Sequence, residues 1–471
     1  MSQRNKKVVV IGGGITGLTA AYYLQKQARE YGLPLDVTLV EASHQVGGKM
    51  RTVVKDGFVI ERGPDSFLER KESAGRLARE VGLGDKIVNN SAGKSYVLVR
   101  DRLHPMPGGS IMGIPTEIGP FVTTKLFSWS GKFRAAADFF MPPTEKKEDQ
   151  TLGTFFRRRL GDEVVENLVE PLLSGIYAGD IDRLSLMATF PQFYHIEQKY
   201  GSLVRGMKKT TPKRKSAADG EKKKGIFISI STGLQSMAEA IERKLDEGSV
   251  LKCTRVDKVT KDSKGYEVRL STGETLKADS IVMCVPPEAA LHMFPEQEHL
   301  FAGFKEMPFT SVATISMAFP ESAIKEDIDG TGFVVSRNSD YAITACTWTH
   351  KKWAHSAPAG KALLRCYVGR PGDEAIVDAA DAEIVQVALG DLQKIMNISG
   401  EPEFTVVTRW KESMPQYTVG HRGRIEELKK GLAEELPGVY AVGSSFEGLG
   451  IPDCIDQGEG AVKKVLSYLD F

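Results

Sequence analysis

A glycine-rich turn between an apolar run and a helical pattern constrains the fold of this chain more than any other feature. Residues 8–11 are all β-branched and apolar, which is typical of a strand buried on both faces. The sequence then reads Gly12-x-Gly14-x-x-Gly17, and residues 18–30 have a helical pattern. Glycines leave backbone N–H groups bare at a helix N-terminus, where a pyrophosphate binds. The arrangement predicts a βαβ unit that binds a dinucleotide.

The segment after this helix supports the same interpretation. A second strand is predicted over residues 35–40, and Glu41 follows it directly. A carboxylate at the end of that strand accepts hydrogen bonds from the ribose hydroxyls of an adenosine. The glycine pattern alone is a weak signal, but the strand, the helix and the carboxylate together make a purely structural turn a poor explanation.

A second glycine-rich passage favours a flavin over a nicotinamide. It begins at Gly47-Gly48-Lys49 and continues through Arg51. Adjacent glycines let the backbone pass close beside a long, extended cofactor. Two cations there suit a pyrophosphate, or the flavin N1–C2=O region, which becomes negative on reduction. A solvated pair of surface cations is the alternative.

A third glycine-rich turn lies far along the chain. Residues 439–442 read as a strand, and Gly443 and the run from Gly448 to Pro452 precede another helical pattern that includes Ala461. A helix N-terminus directs its positive end toward an electron-rich group. Because two such helix starts bracket one cofactor, the cofactor-binding domain is expected to be discontinuous.

Composition excludes several other classes of protein. A formal net charge of +1 argues against general attraction to nucleic acid, and the five cysteines have no CxxC spacing. The first residues predict no signal peptide, and no run of 18 apolar residues occurs, so we expect a cytoplasmic protein with at most peripheral membrane contact. We expect no metal site.

Residues 205–224 form a basic segment, with nine basic and two acidic residues. Such a segment cannot bury enough apolar surface to offset its ordering entropy, so it is predicted to be a mobile loop. A solvated linker is the commonest fate of a charged run. The alternatives are a cationic lid that steers an anionic substrate, and a contact with acidic lipid or with a partner protein.

Five blocks of sequence carry a family resemblance. They are GGGITGL after the first strand, EAS…VGGKMRT, ERGPDSF, EPLLSGIYAGD and GIPDCIDQGEGA. Together they resemble the protoporphyrinogen oxidase group of the GG-doublet flavin amine oxidase superfamily. Within it, the chain is similar to the soluble bacterial branch, the oxygen-dependent coproporphyrinogen III oxidases. The resemblance covers nearly the whole chain.

The resemblance implies FAD as cofactor and a set of site residues. The implied FAD contacts are Gly12, Gly13, Gly14, Ile15, Thr16, Gly17, Glu41, Ala42, Gly48, Lys49, Gly63, Pro64, Asp65, Ser66, Val256, Trp410, Gly448, Leu449, Gly450, Ile451 and Pro452. The implied substrate contacts are Lys71, for a propionate, and Gly175, Ile176 and Tyr177. Lys71 also reads as an exposed helix lysine, Gly175 as a helix C-cap and Trp410 as a core aromatic.

The reaction implied is oxidation of a porphyrinogen by repeated hydride transfer to flavin N5, with O2 reduced to peroxide and no acid–base residue required. A ferrochelatase is a possible partner. The rivals are a protoporphyrinogen IX oxidase, a flavin amine oxidase, a carotenoid desaturase and a non-catalytic FAD scaffold. The apparent absence of a membrane-inserting apolar patch favours coproporphyrinogen III, the more polar substrate.

The expected fold class is α/β, with a Rossmann-like FAD-binding domain, a mixed α/β substrate domain and a helical insertion. The FAD-binding domain is expected to take residues 1–70, 225–290 and 405–471, the substrate domain 71–89 and 291–404, the helical domain 90–204, and the mobile loop 205–224. Helices are predicted over residues 151–160 and 163–170, the second interrupted at Pro171 and ended by Gly175.

Overall fold

The computed structural model describes residues 4–145, 149–211 and 224–471. Its strands, in chain order, are β1 (Lys6–Ile11), β2 (Leu35–Val40), β3 (Thr52–Lys55), β4 (Phe58–Glu61), β5 (Phe67–Leu68), β6 (Ile87–Ser91), β7 (Ser95–Val99), β8 (Arg102–Pro105), β9 (Ser110–Ile111), β10 (Ile114–Pro115), β11 (Lys224–Ile230), β12 (Val250–Leu251), β13 (Val256–Asp262), β14 (Gly265–Leu270), β15 (Thr275–Ala278), β16 (Ser280–Met283), β17 (Phe309–Pro320), β18 (Gly332–Val335), β19 (Ile343–Trp348), β20 (Lys361–Val368), β21 (Phe404–Pro415) and β22 (Val439–Ala441).

The α-helices are α1 (Ile15–Tyr31), α2 (Glu72–Glu80), α3 (Ile118–Thr123), α4 (Trp129–Ala136), α5 (Leu152–Leu160), α6 (Asp162–Val164), α7 (Glu170–Tyr177), α8 (Leu186–Thr189), α9 (Pro191–Tyr200), α10 (Leu203–Thr210), α11 (Gln235–Glu242), α12 (Pro287–Met293), α13 (Thr349–Lys352), α14 (Asp381–Ile395), α15 (His421–Glu435) and α16 (Ile451–Tyr468).

A five-stranded parallel sheet organises the two ends of the chain. Its strand order is β12-β2-β1-β16-β22, so the first strands of the chain pair with β22 only through the mid-chain strand β16. Because parallel strands end at the same edge, the turns after β1, β2 and β22 meet there. The predicted α/β fold class is confirmed, and so is strand β2.

Apolar layers cover both faces of this sheet. One face packs against α1, α2, α11 and α16 through Leu18, Leu77, Ile241 and Val462. The other packs against α12, α15 and the β13–β15 sheet through Phe294, Ile425 and Val268. Helix α2 therefore contributes to the core of the parallel sheet, although residues 71–89 were expected in the substrate domain. Its buried face, which includes Ala74 and Leu77, is what attaches it there.

A seven-stranded mixed sheet forms the second layer system. Its order is β21-β17-β20-β19-β18-β7-β8, with only the β18–β7 pair parallel, and α14 covers one face. Strands β7 and β8 extend this sheet, so this part of the expected helical domain, residues 90–204, consists of strands. Strand β7 contains the aromatic Tyr96 and the aliphatic Val97 and Leu98, which suit a strand, and it pairs with β18. Helices dominate from α3 to α10.

The predicted break at Pro171 does not occur. Residues Asp162–Val164, a π-helical turn over Val165–Val169 and Glu170–Tyr177 follow one another without interruption. Proline lacks the N–H that a regular helix requires, and a π turn before it rearranges the hydrogen bonds around that missing donor. Gly175 accordingly lies inside the helix. The helix predicted over residues 151–160 is confirmed as α5, with Thr151 as its N-cap.

The first part of the basic segment is also ordered as a helix. Residues 205–210 belong to α10, whose N-cap Ser202 accepts a hydrogen bond from the Arg205 N–H at 3.1 Å. The buried face of α10 includes Leu203 and Met207, so the prediction of a mobile loop is wrong for residues 205–210. Residues 212–223, which make up most of that segment, lie outside the described residues.

An apolar face of the helical region is exposed. Trp129, Phe133 and Phe140 are 64%, 74% and 90% exposed and follow one side of α4 and its continuation, near Ile118 and Val122 on α3. The sequence favoured a polar substrate because no such patch was expected, and this exposed apolar face removes that support. No helix in the described ranges is long and apolar enough to cross a membrane.

Candidate flavin and substrate site

The glycine-rich turn after β1 is built for close backbone approach. Gly12 has φ +102°, in the left-handed region that favours glycine. A Cβ on Gly17 would lie 1.9 Å from the Gly12 carbonyl oxygen, so only glycine lets α1 begin so near β1. Helix α1 therefore starts at Ile15, three residues earlier than the sequence pattern predicted, with Gly14 as its N-cap.

Gly14 is different, because a Cβ there would meet no atom of the described residues within 4 Å. The space beside Gly14 at the start of α1 is thus open, which fits a pyrophosphate. Beside it, Glu41 accepts hydrogen bonds from the Gly13 N–H at 2.6 Å and from the Ser43 N–H at 2.8 Å. The carboxylate is thereby fixed at the edge of the sheet where an adenosine ribose would bind.

The GG pair is joined to this turn. Gly47 forms a parallel bridge with Gly14, and its N–H donates to the Gly13 carbonyl at 2.8 Å. A Cβ on Gly48 would lie 3.2 Å from the Gly14 Cα. Two separate glycine motifs therefore form one backbone surface. Ala42, another implied contact, follows Glu41 directly and is exposed.

Lys49 and the start of α16 extend this surface. The Lys49 Nζ donates to the carbonyl of Ser413, and burial lowers the pKa of this lysine. Helix α16 begins at Ile451 with Gly450 as its N-cap and Pro452 in its first turn. Thr16 interacts with Cys454, so α1 and α16 begin side by side. Their N-termini bring Ile15 and Thr16 next to the Gly448–Pro452 turn.

The segment from Gly63 to Ser66 is held by buried side chains from the other sheet. Asp65 accepts hydrogen bonds from Lys352 Nζ at 2.7 Å, Trp353 Nε1 at 3.3 Å and Ser66 Oγ at 2.6 Å. Burial raises the pKa of Asp65, but Lys352 and Arg365 outweigh it and hold the pKa well below its usual range. Asp65 is thus an ionised anchor for this segment.

Gly63 and Trp410 also come together. Arg365 donates to the Gly63 carbonyl at 2.6 Å, and Trp410 Nε1 donates to the Arg62 carbonyl at 2.9 Å. A Cβ on Gly63 would meet the Lys49 carbonyl oxygen at 1.9 Å and the Trp410 ring at 3.6 Å. Trp410 is a half-buried residue of β21, so it joins the candidate site to the seven-stranded sheet. Pro64 lies beside this junction.

Val256 lies farther along the same edge. It begins β13 and is buried, and Thr254, two residues before it, donates its N–H to the Glu41 carbonyl at 2.9 Å. The implied FAD contact Val256 is therefore close to Glu41, although the two residues lie far apart in sequence.

The implied substrate contacts lie beside the start of α16. Lys71 forms an ion pair with Asp453 in the first turn of that helix. Tyr177 ends α7 and is buried, and burial followed by the charge of Asp453 raises its pKa. Gln416 Nε2 donates to the Tyr177 carbonyl at 2.9 Å. This contact ties the end of α7 to the chain that leads back from β21.

Gly175 and Ile176 differ from Tyr177 in exposure. Both are exposed, Ile176 by 48%, and a Cβ on Gly175 would meet no atom of the described part of the chain within 4 Å. Gly175 thus leaves open space on this face of α7. Among the implied substrate contacts, Lys71 and Tyr177 lie beside the start of α16.

Sequence reasoning missed three residues that shape this site: Asp453, Lys352 and Arg365. Their partners are 382, 287 and 302 residues away. An aspartate, a lysine and an arginine in ordinary patterns carry no local signal of such pairing. Only Asp453 has a local sequence signal, because an acidic residue in the first turn of a helix stabilises the helix N-terminus.

Comparisons with known proteins define the class. The family model described as flavin containing amine oxidoreductase matches residues 15–466. The chain therefore belongs to this family, and it is a flavin-dependent oxidoreductase.

Particular relatives narrow this class. The chain is 59% identical to the coproporphyrinogen III oxidase of Bacillus subtilis, with 100% of both chains covered. It is 45% identical to the enzyme of that name from Staphylococcus aureus, over 98% of this chain and 100% of the relative. A crystal structure of a candidate protoporphyrinogen oxidase from Exiguobacterium superposes with a TM-score of 0.87 at 37% identity, covering 100% of both chains. The family resemblance of the sequence blocks is thereby confirmed.

A more distant structure shows the fold alone. UDP-galactopyranose mutase superposes with a TM-score of 0.72 at 16% identity, over 98% of this chain and 96% of the mutase. The two-layer architecture is therefore shared with enzymes of other chemistry, and substrate choice depends on the site residues.

Proposed function

We propose that this protein is an FAD-dependent oxidase that converts coproporphyrinogen III to coproporphyrin III in haem biosynthesis, with O2 as the electron acceptor. The observation that carries the proposal is the position of Lys71 and Tyr177 at the N-terminus of α16. They lie beside the glycine-rich cradle, which consists of the turns at Gly12–Gly17, Gly47–Gly48 and Gly448–Pro452. Full-length similarity to the coproporphyrinogen III oxidase of Bacillus subtilis supports it.

The cradle residues suit FAD. The open N-terminus of α1 at Gly14 would hold the pyrophosphate, and Glu41 would accept the ribose hydroxyls. The Gly63–Ser66 segment and the Gly448–Pro452 turn would flank the isoalloxazine. Lys49 and the positive end of α16 would stabilise negative charge on it. When bound, the flavin accepts hydride from the substrate and passes electrons to O2.

The chain's own task is to position the macrocycle. The carbon–hydrogen bond of a porphyrinogen bridge is weakened by its flanking pyrroles, so no acid–base residue is assigned. Lys71 provides an ammonium for a propionate. The open space beside Gly175 lets the macrocycle approach the α7 backbone, and Ile176 and Tyr177 provide an apolar and an aromatic contact.

Substrate choice is the finer part of the proposal. Coproporphyrinogen III has four propionates, whereas protoporphyrinogen IX has two propionates and two vinyl groups. The Lys71 ammonium favours binding of the substrate that has more carboxylates. The identity to two coproporphyrinogen III oxidases points the same way. A cytoplasmic location and a ferrochelatase contact stay predictions.

The test is turnover of both porphyrinogens by the purified holoprotein in air. Porphyrin fluorescence and peroxide are followed, with a no-enzyme control because porphyrinogens oxidise spontaneously. A several-fold higher kcat/KM for coproporphyrinogen III supports the proposal. A preference for protoporphyrinogen IX would overturn the substrate but keep the reaction. Bound flavin without turnover of either substrate would overturn both and direct attention to amines.

A further inference from the structure

The Lys71–Asp453 ion pair joins two distant parts of the chain. Lys71 is the N-cap residue of α2, and Asp453 lies in the first turn of α16. The two side chains are 36% and 35% exposed, so the pair is neither a core contact nor a freely solvated one. A solute that reaches the site can reach both groups.

Asp453 is held in place by the turn before it. A Cβ on Gly450 would lie 2.6 Å from Asp453 Oδ2, and a Cβ on Gly448 would lie 2.7 Å from the Asp453 Cβ. Two glycines therefore leave the space that this side chain fills. The positive end of α16 further favours the ionised carboxylate. Lys71, by contrast, reaches the pair on a flexible four-carbon stem.

The surroundings of Asp453 are otherwise uncharged or already paired. Tyr177, Tyr417 and Cys454 face its charge, and burial is the main cause that raises the pKa of each. Lys49 is half-buried and donates to a backbone carbonyl. Among the described residues, Lys71 is the cation that forms an ion pair with Asp453.

We propose that Asp453 is a specificity-determining residue. Its carboxylate pairs with Lys71 at the position that a substrate carboxylate takes, so substrate binding replaces one carboxylate on Lys71 with another. This inference rests on the proposed function, because it requires a carboxylate-bearing substrate. Between turnovers, the Asp453 carboxylate keeps the Lys71 ammonium at the substrate site. It also weakens the hold on the carboxylated product, which would otherwise stay bound to a free cation.

The decisive variant is Asp453→Asn, which keeps shape and removes charge. A partly exposed ion pair contributes modestly, so its loss is expected to lower the KM for coproporphyrinogen III and the inhibition constant of coproporphyrin III by about three- to five-fold. The effect on protoporphyrinogen IX should be smaller. Lys71→Met should raise the KM for the tetracarboxylate, and Asp453→Asn should have no further effect on KM in the Lys71→Met background.

A matched control exists in the same helix pair. Arg76 on α2 forms an ion pair with Glu459 on α16, so Glu459→Gln breaks a second α2–α16 contact. It should leave both KM values unchanged. Flavin content and melting temperature are measured for every variant, because a merely structural role of Asp453 would change these rather than KM.

The outcomes separate the two proposals. An Asp453→Asn variant with normal flavin content and an unchanged or raised KM would overturn the role of Asp453 while the proposed function stands. An equal decrease of KM in the Lys71→Met background would also overturn it. If the wild-type holoprotein turns over neither porphyrinogen, the proposed function itself fails. Lys71→Arg, which keeps the charge, should preserve the response to Asp453→Asn.

Discussion

The cofactor cradle and the helical region are stabilised in opposite ways. The cradle around Gly13 and Gly14 is made of backbone, with glycines that permit close approach and a single fixed carboxylate, Glu41. The helical region is organised by buried charges. Arg159 is fully buried and pairs with Asp138 at 3.2 Å and with Glu197. The first arrangement depends on the absence of side chains and the second on their presence, so they should respond differently to substitution.

Gly14→Val tests the cradle and should have the largest effect. The new side chain would project into the open space at the start of α1, so the protein should fold but lose nearly all bound flavin. The absorbance ratio of flavin to protein after purification measures this. Gly390→Val is the matched control, because a Cβ at this α14 glycine also meets none of the atoms that the structure describes within 4 Å. Normal flavin content in Gly14→Val would contradict the role of the turn.

Arg159→Met tests the helical region. It leaves the carboxylates of Asp138 and Glu197 buried without their cation, which typically costs about 3–5 kcal/mol. Denaturant unfolding should show this loss, and amide exchange should locate it in α5, α9 and α10. Arg29→Met is the control, since its exposed pair with Asp246 contributes below about 1 kcal/mol. Equal effects of the two variants would remove the contrast.

The same contrast explains what the sequence could predict. The Gly12–Gly17 turn and strand β2 follow from local patterns, because each depends on residues within one short segment. The Arg159 cluster joins residues 21 and 38 positions away, and Lys71 pairs with a residue 382 positions away. Local periodicity carries no information on such pairs. The continuous helix through Pro171 was missed for a related reason, since a π turn compensates for the proline and no sequence rule signals it.

Glu61→Gln sharpens the comparison through pH. Burial raises the pKa of Glu61 to about 7 from 4.5, although hydrogen bonds from the Leu234 N–H and Thr52 oppose this. The folded protein therefore keeps the proton to a higher pH than the unfolded chain. The stabilisation is complete below pH 4.5 and is lost as the pH rises through 7.

The free energy of unfolding of the wild type, relative to Glu61→Gln, should thus fall by about 3 kcal/mol at most between pH 4.5 and 8. Urea unfolding at several pH values measures it. If the difference in free energy of unfolding between the two proteins is constant across this range, burial does not raise the pKa of Glu61.

Lys352→Met should have the smallest effect on overall stability and a local one on the site. Without this partner the pKa of Asp65 should rise, and the Gly63–Ser66 segment should hold flavin less tightly. We expect a flavin dissociation constant raised by about ten-fold, equivalent to about 1.4 kcal/mol. Titration of apoprotein with FAD measures it. The control is Lys351→Met, at the position next to Lys352, which breaks an exposed pair with Asp327. This variant should bind flavin normally.

The central claim is that flavin held by this chain takes electrons from a porphyrinogen. Anaerobic mixing of excess holoprotein with coproporphyrinogen III tests it without any role for oxygen. Aromatisation removes six electrons and each flavin accepts two, so three flavins should lose their oxidised absorbance for each porphyrin formed, and air should restore it. Porphyrin formation without flavin bleaching, or an oxidised flavin that persists beside unchanged porphyrinogen, would contradict the account.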